Sequence, residues 1–263
     1  MPNLRFENKI AIVTGGGSGI GQAAALRLAE EGAHVFMLDR TVERAEETKS
    51  RIEQNGGRAE VIECDIAKPE MVENAINTVA ERAGRIDVVF ANAGVNGKMA
   101  PIETMEIEDW DQTMCINMRG TFATVKYAIP HMKENGGSII INSSINGNRV
   151  FSNIGFSAYA STKAGQAAFM KMAALELARY KIRVNSVHPG AIDTNIDSKT
   201  ERSEDLDQVQ IPVEFPEGDQ PLAGKSGKPD QVASLVLFLA SDEASHISGT
   251  EVYIDGAESL LRG

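Results

Sequence analysis

The sequence predicts an α/β protein: one doubly wound parallel sheet of seven strands, with helices on both faces. Three observations carry that expectation. Apolar, β-rich runs recur seven times along the 263 residues, and helical stretches with apolar residues at three- and four-residue spacing separate them. The runs are nearly continuous rather than alternating, so each strand needs cover on both faces, as in a parallel sheet. Hydrophobic residues at 42% and charged residues at 24% suit one sizeable core, and α/β units often reach this length as a single domain.

The elements follow in order. A strand over residues 9–14 runs through a glycine turn into a helix over 20–31. Strands over 33–38, 59–64 and 87–91 alternate with helices over 42–55 and 70–83. Pro69 stands where a helix can begin, because its missing N–H is one that a first turn leaves unbonded. A long helix over 108–133 leads to a strand over 138–142, a helix over 158–180 and a strand over 183–187. After an irregular stretch, a helix over 229–239, opened by Pro229, and a strand over 251–254 complete the pattern. The stretch 191–228 mixes Asp, Glu, Ser and Pro with isolated apolar residues such as Ile192, Ile196, Ile211 and Phe215. Its length and irregularity predict a substrate lid, although its acidic middle, 201–207, also suits a solvated excursion.

A formal charge of -11 and a pI near 4.9 argue against nucleic acid, which needs clustered cations. No run approaches the ~20 apolar residues of a membrane span. The opening segment lacks a secretory pattern, so a cytoplasmic location is expected. Cys64 and Cys115 are too few and too far apart for a disulfide framework or a metal knuckle, and no metal site is expected.

The first strand ends in Thr14-Gly15-Gly16-Gly17-Ser18-Gly19-Ile20-Gly21 and opens a helix. Amides at such a helix start can face a pyrophosphate, and glycine lets the backbone approach it. Asp39 closes the second strand eighteen residues after Gly21, near the offset at which a carboxylate meets adenosine ribose hydroxyls. A carboxylate there repels a 2'-phosphate, which favours NAD over NADP; the neighbouring Arg40 is the group that could hold such a phosphate.

Tyr159 and Lys163 lie four residues apart on a predicted helix, hence on one face. A nearby cation favours phenolate, so Lys163 can bring Tyr159 toward general acid/base use. Ser143 and Ser144 follow the strand over 138–142, at the sheet edge where open α/β proteins bind ligands. A hydroxyl there can polarise a carbonyl.

The ordered set Thr14-Gly15-x-x-x-Gly19-x-Gly21, Asp65, Asn92-Ala93-Gly94, Asn117, Ser144, Tyr159-x-x-x-Lys163 and Pro189-Gly190 with Thr194 resembles the short-chain dehydrogenase/reductase family over nearly the whole chain. The resemblance implies a Rossmann-like fold and Tyr159 as acid/base. Ser144 would orient the substrate oxygen, Lys163 would tune the phenol and hold ribose hydroxyls, and Asn117 would support a water relay behind Lys163. Gly15, Gly17, Ser18, Gly19, Ile20 and Gly21 would bed the dinucleotide. Asp65 with Ile66 would meet adenine, and Asn92, Ala93 and Gly94 would steady the cofactor bed. Pro189, Gly190, Ile192 and Thr194 would meet the nicotinamide. A homotetramer is also implied, with the long helices around Asn117 and Lys163 pairing across subunits; the small residues Ala164, Gly165, Ala167 and Ala168 would permit close packing there, or equally against this chain's own sheet.

Two positions depart from the family pattern. Ser144 precedes Tyr159 by fifteen residues, whereas the commoner family spacing is two shorter and falls on Asn146; Ser143 and Asn146 therefore remain alternative donors. Ala257 replaces a frequent glycine. His188 reads as a packing or hydrogen-bonding residue, Trp110 as core or interface, and Arg149 as a solvated arginine. The expected function is hydride transfer between NAD(H) and a small alcohol or carbonyl. The rivals are an NADPH-dependent 3-oxoacyl-thioester reductase and a non-catalytic nucleotide sensor.

Overall fold

The computed structural model describes every residue except 1–3, 195–199, 210, 212, 214, 217 and 263. The described residues form a seven-stranded parallel sheet in the order β3-β2-β1-β4-β5-β6-β7. In chain order the elements are β1 (Ile10–Thr14), α1 (Gly19–Glu30), β2 (His34–Asp39), α2 (Val42–Gln54), β3 (Arg58–Glu63), α3 (Pro69–Ala83) and β4 (Val88–Ala91). There follow α4 (Ile107–Thr113), α5 (Gly120–Met132), β5 (Gly137–Asn142), α6 (Ser157–Leu177) and β6 (Ile182–Pro189), then α7 (Leu206–Val209), α8 (Pro229–Ala240), β7 (Glu251–Ile254) and α9 (Glu258–Arg262).

The nearly continuous apolar strands are explained by cover on both sides. Along β1, Ile12 packs toward one face with Phe36, Leu38, Val89, Ile139 and Val184, beneath α3, α5 and α6. Its neighbours Ala11 and Val13 turn to the other face with Val35, Met37, Phe90 and Ile140, beneath α1, α2 and α8. Alternate residues thus serve alternate cores, and neither face can be polar. The strand order reverses between β1 and β4, and the connections diverge there, opening a crevice at the C-terminal strand ends.

Each expected strand is present, most with ends moved by a residue or two. Three features of the helices differ from expectation. The helix expected over 108–133 carries a π turn, Met114–Arg119, between α4 and α5. The helix over 158–180 ends earlier, in a 3-10 turn that closes on Lys181 at φ +57. Helices α7 and α9 are too short, at four and five residues, to show a helical period in sequence.

Part of the predicted lid, including Ile196, lies outside the described residues. Its described parts dock on the loop after β4: Met99 N donates to Glu201 O at 2.9 Å, Ser203 N to Met99 O at 2.8 Å, and Asn96 Nδ2 to Thr200 Oγ1 at 2.9 Å. Among the described residues no helix is long and apolar enough to cross a membrane, and no cluster of His, Cys, Asp and Glu is placed to hold a metal ion.

Candidate active site

The crevice holds a cavity of about 410 Å³. It is lined by Gly15, Ser18, Gly19 and Ile20 from the first turn, Asp39 and Arg40 after β2, Asp65 and Ile66 after β3, and Asn92, Ala93 and Gly94 after β4, with Thr194 across the mouth. These belong to the expected cofactor bed, brought together from four strand ends. The glycines are there for geometry. Gly15 and Gly19 sit at φ +69 and +54, where a side chain is strained, and a Cβ at Gly21 would fall 2.1 Å from the Gly15 carbonyl oxygen.

Asp39 is held in place. One carboxylate oxygen accepts from Gly17 N and the other from Thr41 N, each at 2.9 Å, so the charge is pinned between the glycine turn and the start of α2. Arg40 and Arg44, both exposed, line the same end of the cavity. Arg44 was not singled out from sequence, because only the turn into α2 brings it back to the crevice. Asp65 Oδ1 accepts from Ala67 N and shapes its own turn. Cys64 also lines the wall, but burial pushes its thiol up to about 12, which leaves it inert.

Asn92 ties the sheet edge together. Its amide donates to Thr14 O at 3.0 Å and Gly15 O at 3.4 Å, while its Oδ1 accepts from Asn142 Nδ2 at 3.0 Å. Thr14 Oγ1 in turn receives Asn92 N and Ala93 N. Three strand ends are thereby cross-linked under the cavity. Asn142 Oδ1 is buried there without a hydrogen-bond partner. A buried orphan acceptor beside a glycine cradle that any Cβ would fill fits a polar ligand lying across the crevice.

Asn142 also links the cavity to the chemistry. Its carbonyl accepts from Lys163 Nζ at 2.7 Å, and Lys163 is only 4% exposed. Burial pushes the Lys163 ammonium down from 10.5 to about 7, so its charge responds at neutral pH. Lys163 Nζ stands 5.5 Å from the centre of the Tyr159 ring, on the face of α6 that the four-residue spacing predicts. Tyr159 is half-buried against Phe156.

The two serines have different tasks. Ser143 Oγ donates to Lys163 O at 2.9 Å, which spends its proton on α6. Ser144 Oγ accepts from Asn146 N at 3.1 Å and from Asn146 Nδ2 at 3.4 Å, and its carbonyl is met by His188 Nδ1 at 3.1 Å. Its own hydroxyl proton remains to be given. Of the alternative donors, Ser143 is therefore the least suited.

Asn117, in the π turn, is occupied on every side. Its Oδ1 accepts from Val95 N, and its Nδ2 donates to Val95 O and Thr162 Oγ1. Its carbonyl receives Gln166 Nε2 at 2.9 Å and Thr121 Oγ1 at 2.7 Å. These bonds fix the loop after β4 to α6 and leave the carbonyl's two lone pairs already engaged. Gln166, three residues beyond Lys163, carried no sequence signal for this contact.

Beyond the cavity lining, Pro189 ends β6, Gly190 follows it, and Ile192 pairs with Gly227. A Cβ at Gly190 would meet the Glu258 carboxylate, which also accepts from Ala191 N at 2.8 Å. His188 is fully buried, and burial lowers its pKa, so it stays neutral. Arg149 lies 3.4 Å over the Tyr253 ring rather than free in solvent, and Trp110 is half-buried.

The glycine-cradled crevice thus lies beside a buried lysine, with a tyrosine one turn away on the same helix and a serine that accepts two hydrogen bonds. A family model described as Enoyl-(Acyl carrier protein) reductase matches residues 15–257. Levodione reductase of Leifsonia aquatica is 35% identical over 98% of this chain and 97% of its own length. Cyclohexanol dehydrogenase of an Acinetobacter strain is 35% identical, covering 96% of each chain. The crystal structure of a 3-ketoacyl-ACP reductase from Sinorhizobium meliloti superposes with a TM-score of 0.93 at 44% identity, over 96% of this chain and all of that one. Similar solved chains carry NADH, NADP or NAD. The chain belongs to the short-chain dehydrogenase/reductase family and is an oxidoreductase of CH–OH or carbonyl groups that uses a nicotinamide cofactor.

Proposed function

We propose that the protein is an NAD(H)-dependent dehydrogenase/reductase of a small, uncharged alcohol or ketone, with Tyr159 as the acid/base. The observation that carries the cofactor choice is the pinned Asp39 carboxylate. Both of its oxygens are held by backbone N–H groups, so it cannot swing aside without breaking two hydrogen bonds, and a 2'-phosphate would meet its charge. A nicotinamide held by the residues lining the crevice would supply the hydride acceptor for oxidation and the hydride donor for reduction. The protein manages the proton. Tyr159 takes it from the substrate hydroxyl, or returns it to the carbonyl oxygen. The Lys163 charge favours the phenolate, and Ser144 donates a hydrogen bond to the substrate oxygen as charge develops there.

The 3-oxoacyl-thioester reductase reading is favoured by Arg40 and Arg44 at the adenosine end. Against it, the segment 191–228 carries nine acidic and four basic residues, so an anionic phosphopantetheine thioester would meet like charge. A non-catalytic sensor would have no use for a buried lysine beside the tyrosine. We further propose a cytoplasmic homotetramer, supported by exposed Phe122 on α5 and Met172 and Leu175 on α6; light scattering that finds only monomer at micromolar concentration removes it.

Calorimetric titration of the cofactor-free protein with NADH and NADPH at one salt concentration tests the reading. Tighter NADH binding is expected, and a preference for NADPH would overturn it. Cyclohexanol and levodione are the first substrates to assay, and Tyr159→Phe should retain NADH binding while losing turnover.

A further inference from the structure

Ser144 Oγ accepts two hydrogen bonds, and both come from Asn146. A hydroxyl has two acceptor positions and one proton. With both acceptor positions filled, the hydroxyl can act toward a third group only as a donor. The partner is itself oriented: Asn146 Oδ1 accepts from Asn153 Nδ2 at 2.7 Å. With the two amides so oriented, the Asn146 oxygen lies toward residue 153 and its NH2 lies toward Ser144.

We propose that Asn146, backed by Asn153, is a positioning residue that holds the Ser144 hydroxyl as an obligate donor to the substrate oxygen. The inference rests on the functional reading above for the identity of that oxygen, but not for the hydrogen-bond chain itself. Asn146 follows Ser144 in the short turn Ile145–Gly147, whereas Asn153 lies seven residues further on, in the loop that precedes α6. The chain Asn153–Asn146–Ser144 therefore connects a loop at the substrate side to the group that meets the reacting oxygen. His188 meets the Ser144 carbonyl at 3.1 Å, so the backbone is held as well as the hydroxyl. The twofold consequence is that the substrate oxygen is recognised as an acceptor, and that a change in the loop at 153 reaches the chemistry without touching substrate.

Asn146→Asp distinguishes this from plain turn stability. A carboxylate at 146 has no N–H to give and would take the Ser144 proton for itself, although its size and backbone N–H are unchanged. With cyclohexanol and NAD, kcat should fall about a hundredfold, the scale of losing one preorganised donor. NADH affinity by calorimetry should stay within about twofold, in line with a change confined to the substrate oxygen. Asn153→Ala should give a smaller loss in kcat, and Asn153→Gln should recover part of it. Crystal structures of the wild type and Asn153→Ala supply a readout that needs no turnover: Ser144 and the Asn146 amide should each hold one rotamer in the wild type and several in the variant. The proposal is overturned if Asn146→Asp keeps kcat within about twofold of wild type, or if the wild-type crystal shows the Asn146 amide turned away from Ser144. If wild type turns over no alcohol or ketone, the functional reading fails, and the crystal comparison alone decides the hydrogen-bond chain.

Discussion

Replacing Lys163 with methionine should stabilise the cofactor-free protein while removing turnover, and the gain should depend on pH. Lys163 is 4% exposed, and burial lowers its pKa from 10.5 to about 7. A group with a lower pKa in the folded chain binds fewer protons there than in the unfolded chain. Between pH 7 and 10.5 the unfolded state therefore holds the extra proton, and folding stability rises with pH. Each unit corresponds to about 1.4 kcal/mol, so the wild type should gain about 3 kcal/mol on the methionine variant between pH 7 and 9. Below pH 7 the penalty is at its full size. The opposing loss is the bond to the Asn142 carbonyl at 2.7 Å, worth about 1 kcal/mol net. The variant should therefore be the more stable protein at pH 6.5 by a few kcal/mol, on the scale of burying an unpaired charge. Urea unfolding of both proteins at pH 6.5, 8 and 9, at one protein concentration, measures the difference. Cys64, whose thiol is pushed the other way, is common to both and cancels. A stability gap that does not narrow from pH 6.5 to 9 refutes the claim that Lys163 is folded into the site at the expense of its charge.

Three further outcomes are expected. Gly21→Ala places a methyl 2.1 Å from the Gly15 carbonyl oxygen, so it should abolish measurable NADH binding and cost about 1–3 kcal/mol of stability, as overpacking does; unchanged affinity by calorimetry would contradict the cradle. Ser143→Ala and Ser144→Ala should separate: the first loses about 1 kcal/mol of stability through its bond to Lys163 O, seen in urea unfolding, and the second loses about 10²–10³-fold in kcat. Ala257 sits at φ +69, so Ala257→Gly should raise stability by about 0.5–1 kcal/mol in the same assay.

Much of the fold was legible because its causes are local and periodic. Strands buried on both faces must be apolar throughout, and Tyr159 and Lys163 share a face because the helix repeats every 3.6 residues. The glycine turn was legible for a related reason: at Gly15, Gly19 and Gly21 either the dihedral or the neighbour excludes a side chain, so the sequence has no alternative. The departure at Ala257 was visible as a missing glycine, but its meaning needed the dihedral. The π turn was invisible. The Asn117 carbonyl is met by Gln166, forty-nine positions away, and nothing in either local pattern announces that pairing.

The serine pair shows where sequence reasoning stops and why. In an extended chain successive side chains point to opposite sides, so of two adjacent serines only one can face the crevice. Which one depends on the phase of the strand. Here Ser143 N continues the β5–β6 ladder by donating to Val187 O at 2.9 Å, and its hydroxyl turns beneath α6 to Lys163. The same phase turns Ser144 the other way, onto Asn146. A ladder shifted by one residue would exchange the two roles with no change in composition or spacing. The role proposed for Ser144 thus rests on register, which is set by the pairing of β5 with β4 and β6. Ile139, Ile140 and Ile141 would fill either phase equally well, so the phase at residue 144 is carried by the pairing of β5 with β4 and β6 and by the bond of Ser143 to Lys163.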